Sequence, residues 1–137
     1  MKISAVPRDR VDDVWHVVGP ILQRAIEINR GTHDIGDIKT ELLADRCGLW
    51  VAYDEGEIYA ACTTRIVITP QNKMLMIDWL GGERMDDWLD DALDVIESYA
   101  HDLGCERVEI IGRKGWKVLR KYGWHDTAVV YQKELGA

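Results

Sequence analysis

The first apolar positions, within Lys2–Val6, read as a short strand stopped by Pro7. The period then changes. Val14, Val17, Val18, Ile21, Leu22 and Ala25 recur at helical spacing as one stripe, with Asp12 and Asp13 at the end where a helix dipole favours acids. Pro20 lies inside this stretch and predicts a kink. Residues 29–32 read as a loop, and a second, weaker helix is expected over 34–45, burying Ile35, Ile38, Leu42 and Leu43.

The middle of the chain has strand character. Residues 49–53 and 57–68 flank the turn Asp54-Glu55-Gly56, and after a second turn containing Pro70 a third strand of the meander is expected over 74–80. Its run Met74-Leu75-Met76-Ile77 does not alternate, which suits a central strand covered on both faces. Gly81-Gly82 is expected to end that strand. The strongest helix of the chain follows, with Met85, Trp88, Leu89, Ala92, Leu93, Ile96, Tyr99, Ala100 and Leu103 on one face and Gly104 as its C-cap. A strand over 107–111 makes strand–helix–strand, which predicts a right-handed parallel crossover. A short helix over 115–122 stopping at Gly123, and a last strand over 128–135, complete the reading. The expected architecture is α/β: a mixed central sheet, an antiparallel meander plus a parallel strand pair, with helices on both faces.

Composition narrows the classes. With 137 residues the chain is one domain, able to bury roughly two-thirds of its unfolded surface without a disulfide or metal. A net charge of −7 argues against a nucleic-acid partner, since phosphate neutralisation needs clustered cations. The one basic cluster, Arg113-Lys114 with Lys117, Arg120 and Lys121, suits a local anionic ligand. Cys47, Cys62 and Cys105 form no CxxC pair and read as reduced structural thiols. No apolar run approaches a membrane span and the first residues lack a signal-peptide pattern, so a cytoplasmic protein without a membrane partner is expected. His16, His33, His101 and His125 make no metal-ligand spacing.

The order of elements resembles that of the GNAT N-acetyltransferase superfamily. Two runs carry the resemblance further. Tyr99-Ala100-His101-Asp102-Leu103-Gly104-Cys105, ahead of a strand, is similar to the end of that family's third helix. Leu119-Arg120-Lys121-Tyr122-Gly123-Trp124 is similar to its fourth, which closes on a Gly-aromatic pair. The resemblance implies acetyl-CoA as acyl donor and an amine as acceptor, on a small molecule, a protein N-terminus or a lysine. Family members follow the fourth strand with a Gln/Arg-x-x-Gly-x-Gly/Ala loop, whose N–H groups cradle the pyrophosphate. Counting back from Gly104 puts Arg84 at its first position, with Asp87 and Leu89 where small residues usually stand. Gly81 and Gly82 lie earlier, so the implied cofactor-binding set is Leu80, Gly81, Gly82 and Arg84, with Arg113 and Lys114 offsetting Asp86, Asp87, Asp90 and Asp91. The tyrosine that many members use to protonate the departing thiolate is here Leu119, and Tyr122 reads as core filler.

Amine attack needs a proton acceptor. Asp78, a carboxylate on an otherwise apolar strand, and Glu109 on the next are the candidates, Asp78 the better placed. A hydrogen bond or ion pair inside the fold would account for Asp78 as well. Two functions therefore stand: an acyl-CoA-dependent N-acyltransferase with a divergent phosphate loop, or a degenerate GNAT-fold binding or assembly module. Compact domains of this kind are similar to phage-encoded ones, which would put the protein in a host cytoplasm or a virion, with a homo-oligomer or an assembly partner.

Overall fold

In a computed structural model, residues 1–28, 31–112 and 116–136 are described. A five-stranded sheet in the order β1-β2-β3-β4-β5 joins β1 (Lys2–Val6), β2 (Gly48–Asp54), β3 (Glu57–Ile68), β4 (Lys73–Gly82) and β5 (Arg107–Ile110). The first three pairings are antiparallel and the fourth is parallel, so the expected α/β mixed sheet is the one observed. The β2–β3 connection is a two-residue turn in which Glu55 and Gly56 both take positive φ, the geometry that matches strand twist.

Helix α1 (Val11–Glu27) follows a single 3-10 turn and runs through Pro20 uninterrupted. Pro20 and His16 are both exposed, so the carbonyl that the ring deprives of its donor faces water. Helix α2 (Ile35–Leu43) opens with a reciprocal capping box: Asp37 N–H donates to Asp34 Oδ1 and Asp34 N–H donates to Asp37 Oδ2, each at 2.9 Å. It buries Ile38 and Leu42, but Leu43, expected inside, is exposed on the far side of this short helix. Helix α3 (Met85–Asp102) links β4 to β5.

The sheet separates two cores. Val11, Val18, Leu22, Ile38 and Leu42 of α1 and α2 meet Leu49, Val51 and Ala61 on one face. On the other, Trp88, Leu89, Leu93 and Ile96 of α3 meet Trp50, Ala52, Ala60, Leu75 and Ile77. Trp50 Nε1 donates to Thr64 Oγ1 at 2.9 Å, which satisfies the indole as it is buried. None of the described helices is long and apolar enough to cross a membrane.

Three expectations are corrected. Strand β4 does not stop before Gly81-Gly82 but takes both glycines in, paired with Ala61 and Ala60. The short C-terminal helix is a 3-10 segment, Lys117–Tyr122, closed by Gly123 in the left-handed conformation. Residues 128–135 form no strand: Val129, Val130, Tyr131 and Leu135 are 51–93% exposed, and β5 is the last strand of the sheet. The period-two pattern there is genuine, but the segment is paired with no described strand, so it lacks the ladder a strand needs.

Candidate functional site

Asp78 sits in a bulge. In the β3–β4 ladder Thr64 faces Ile77 and Thr63 faces Trp79, which leaves Asp78 as an extra residue with no opposite number. A bulge bends its strand and increases the local twist. The parallel β4–β5 ladder ends one residue earlier, at Ile77–Ile110, while β4 continues to Gly82. From Asp78 onward the outer edge of β4 therefore has no described strand beside it, at the C-terminal ends of two parallel strands, the position where open α/β sheets bind ligands.

Oδ2 of Asp78 accepts from Nε of Arg65 on β3 at 2.6 Å, with the carboxylate side chain 21% exposed. This bond pushes the guanidinium pKa up further, against the opposing effect of partial burial. The ion pair expected as one account of Asp78 is thus present. Around it lie residues that sequence reasoning passed over. Trp79, next in the bulge, packs on the α1–α2 core and meets the His33 ring edge-on at 5.4 Å. His33 Nε2 stands 3.6 Å from Glu41 Oε1 on α2. The Cys47 thiol is pushed up to about 11, first by burial and then by Glu41 and Asp78, with Arg65 opposing. A thiol held that high is no nucleophile at neutral pH. Arg65 carried a faint signal: a lone cation in an apolar and Thr-rich strand, one hairpin away from a lone acid.

Glu109 sits on β5 opposite Met76, ion-paired with Arg107 at 2.6 Å. Since Val108 and Ile110 pack toward α3, alternation places Glu109 on the other face, the one from which Trp79 points to α1. Tyr122 is half-buried against the α3 core, and Leu119 is buried there.

The cofactor-binding candidates fall into three groups. Leu80 packs into the α3-side clusters. Both glycines are required by close approach: a Cβ on Gly81 would stand 2.7 Å from the Ile21 carbonyl of α1, and one on Gly82, whose φ is +143°, 2.5 Å from Ala60 and the Tyr59 carbonyl. Arg84 precedes α3 in the left-handed conformation; its Nε donates to Asp87 at 2.7 Å and its guanidinium lies 4.5 Å from the Tyr59 ring centroid. Arg113 and Lys114 lie outside the described residues. At the start of α3 the exposed acids Asp86 and Asp87 flank N–H groups of the first turn, and nearby Glu83 is paired with Arg24 at 3.3 Å.

No protein-family model matches this sequence, and no curated protein matches it. Solved structures do share its fold. A probable acetyltransferase superposes with a TM-score of 0.73 at 11% identity, covering 100% of this chain and 98% of its own. An aminoglycoside acetyltransferase from an uncultured soil metagenomic sample, in complex with sisomicin, gives 0.71 at 13% identity, over 98% and 96%. A predicted acetyltransferase from Clostridium acetobutylicum, with acetyl-CoA, gives 0.71 at 15% identity, over 97% and 95%. The likeness spans whole chains, and the fold is that of the GNAT acetyltransferases.

Proposed function

We propose that the protein is an acyl-CoA-dependent N-acyltransferase acting on an amine at the crevice beside Asp78. The observation that carries this reading is the end of the β4–β5 ladder at Ile77, directly before the bulge. The edge of β4 beyond it offers backbone donors and acceptors to an extended, amide-bearing chain, as sheet edges do for peptides. The pantetheine arm of acetyl-CoA has that chemistry and fits. Its pyrophosphate fits less well, because Asp86 and Asp87 are like charges beside the helix N-terminus and Arg84 is already paired. Affinity is therefore expected to be weak, with Arg113 and Lys114 as further cations available to the phosphates.

In the reaction the acceptor nitrogen forms a bond to the thioester carbonyl carbon, the carbon–sulfur bond breaks, and the thiolate leaves. Asp78 takes the proton that the ammonium must lose, directly or through a water, through the oxygen not bound to Arg65. Glu109, on the neighbouring strand, is the second carboxylate available. Leu119 has no proton to give, so solvent protonates the thiolate. The test is release of free thiol from acetyl-CoA across a panel of amines, parent against Asp78→Asn. Loss of about 10²–10⁴-fold in kcat supports the assignment. Undiminished turnover in a folded Asp78→Asn protein removes Asp78 from the chemistry.

The acids at the start of α3 favour a second reading, a GNAT-fold module that binds or assembles, for instance in a virion, without acyl transfer. Calorimetry separates the two: no heat of acetyl-CoA binding near 1 mM, a range that would still reveal about −4 kcal/mol of affinity, selects the module.

A further inference from the structure

Strand β3 outruns its neighbour β2. The β2–β3 ladder ends at Gly48–Thr64, while β3 continues to Ile68 and stays paired with β4 on its other side. Residues 65–68 therefore form a stretch of sheet edge that faces no described strand. The turn after them fixes which groups point outward. Thr69 N–H donates to the Asn72 carbonyl at 2.8 Å, so residue 69 bonds inward, toward β4. Antiparallel hydrogen bonding alternates along a strand. Val67 therefore also bonds inward, to Met74, and the N–H and C=O of Ile66 and Ile68 point away from the sheet.

The side chains of this edge are apolar and uncovered. Thr64 lies on the α3 face, where its hydroxyl accepts from Trp50, and period two puts Ile66 and Ile68 on that face too. Ile66 is 37% and Ile68 77% exposed. Tyr99 of α3, 40% exposed, meets the Trp50 ring edge-on at 5.1 Å. Together with Ile66 it lines a notch of about 360 Å³ where β2 and β3 part. Native sheets guard an edge with a charge, a proline or a bulge. The run Ile66-Val67-Ile68 carries none of these, and its register with β4 is regular.

We propose that two copies of this chain pair antiparallel along this edge, about a twofold axis through Val67. In that register Ile66 of each copy lies opposite Ile68 of the other, and Val67 lies opposite its own symmetry mate. The outward groups of Ile66 and Ile68 then exchange four hydrogen bonds, which leaves none of them idle. Opposite residues of an antiparallel pair share a face, so the four isoleucines meet on the α3 side and extend the apolar strip at Tyr99. Arg65 comes opposite Thr69, so no like charges confront each other. Shifting the pairing by one residue would set Ile66 against Val67, whose side chain is on the other face, and the match would be lost. The notch leaves room at the end of β2 for the turn that follows Thr69 of the second copy. A second copy is the occupant because the segment is complementary to itself, and an isologous contact repeats every gain twice. The pairing holds whether or not Asp78 serves acyl transfer.

The experiment is sedimentation of the full chain at about 100 μM, where a micromolar interface is largely occupied. Ile68→Pro removes an outward donor and none that β4 uses, and Ile68→Glu and Ile66→Lys each put a charge on the shared strip. Circular dichroism checks that each variant keeps the fold. The expected parent mass is about twice 15.7 kDa, with each variant alone reduced to a single copy. An equimolar mixture of Ile66→Lys and Ile68→Glu should regain the dimer, because that register sets the new lysine opposite the new glutamate. Slow amide exchange at Ile66 and Ile68 should appear in the parent and vanish in Ile68→Glu, while Val67 stays protected in both. A monomeric parent at this concentration overturns the proposal, as does a dimer that both Ile68 variants leave intact. A mixture that stays monomeric overturns the register.

Discussion

Adding one methyl group at Gly82 tests whether the paired glycines belong to the fold or to a ligand. In Gly82→Ala the new Cβ stands 2.5 Å from Ala60 and from the Tyr59 carbonyl, atoms of a central strand that cannot swing aside. Overpacking of this kind costs about 1–3 kcal/mol. Holding alanine at φ +143° adds a further strain of about 1–3 kcal/mol. The sum, about 2–6 kcal/mol, is a large part of the 5–15 kcal/mol that holds an ordinary domain together. For a chain of this size it lowers Tm by roughly 8–24 °C. Gly81→Ala meets only the Ile21 carbonyl, at 2.7 Å and without positive φ, and should cost about 1–3 kcal/mol. Gly56→Ala is the control, since its φ is +83° but nothing lies within 4 Å, leaving backbone strain of about 1 kcal/mol. Urea unfolding of the three variants should rank Gly82→Ala as most damaging. A Gly82→Ala protein no less stable than Gly56→Ala would refute the close strand contact. A stable Gly81→Ala that no longer binds acetyl-CoA would return that glycine to the ligand.

Two further outcomes follow from groups buried in the sheet. Thr63 Oγ1 is buried with no hydrogen-bond partner among the described residues, so Thr63→Val should raise stability by about 1 kcal/mol, and a loss of that size in urea unfolding would mean that the hydroxyl has a partner in solution. Burial pushes the Cys62 thiol up to about 12, while Cys47 stands at about 11. Both folded values lie above the ordinary thiol value of 9.0, so folding disfavours the thiolate. This contribution to stability is full below pH 9.0 and declines as pH rises toward 11 and 12; a urea midpoint that climbs through this range, or fast alkylation of Cys62 at pH 8 in the native protein, would contradict it.

Most of the fold was readable because its signals are local and redundant. The α1 stripe, the α3 stripe and the Glu55-Gly56 turn each combine hydrophobic period with an end signal, and all three stand where those signals place them. The readings that failed depended on what lay beside the segment. Gly81-Gly82 looks like punctuation, yet α1 presses its Ile21 carbonyl on one and β3 its Ala60 on the other, so glycine is there to let neighbours approach. Residues 128–135 have the composition of a strand, but a strand exists only when an edge is presented to it. Leu43 satisfies the helical period and is still exposed, because α2 ends there and turns no further toward the core.

The candidate site was legible as a position and not as an environment. An acid on an apolar strand pointed to Asp78, and the crossover pointed to the end of that strand. What surrounds the carboxylate depends on a register that no local pattern reveals. By alternation from Met76, Asp78 shares the face of Arg65 with or without the bulge; the extra residue changes Trp79, which falls on that same face instead of the opposite one. Asp78 thus pairs with Arg65 while Trp79 beside it, turned by the bulge, meets His33, and the bulge comes where the β5 ladder stops. The ion pair follows from alternation, the Trp79–His33 contact from the bulge, and the uncovered edge of β4 from the end of β5. Deleting Asp78 outright would remove the carboxylate and the bulge together, whereas Asp78→Asn keeps the bulge and changes only the charge. Activity lost in both variants, with the bulge intact in the second, assigns the loss to the carboxylate and not to the shape of the strand.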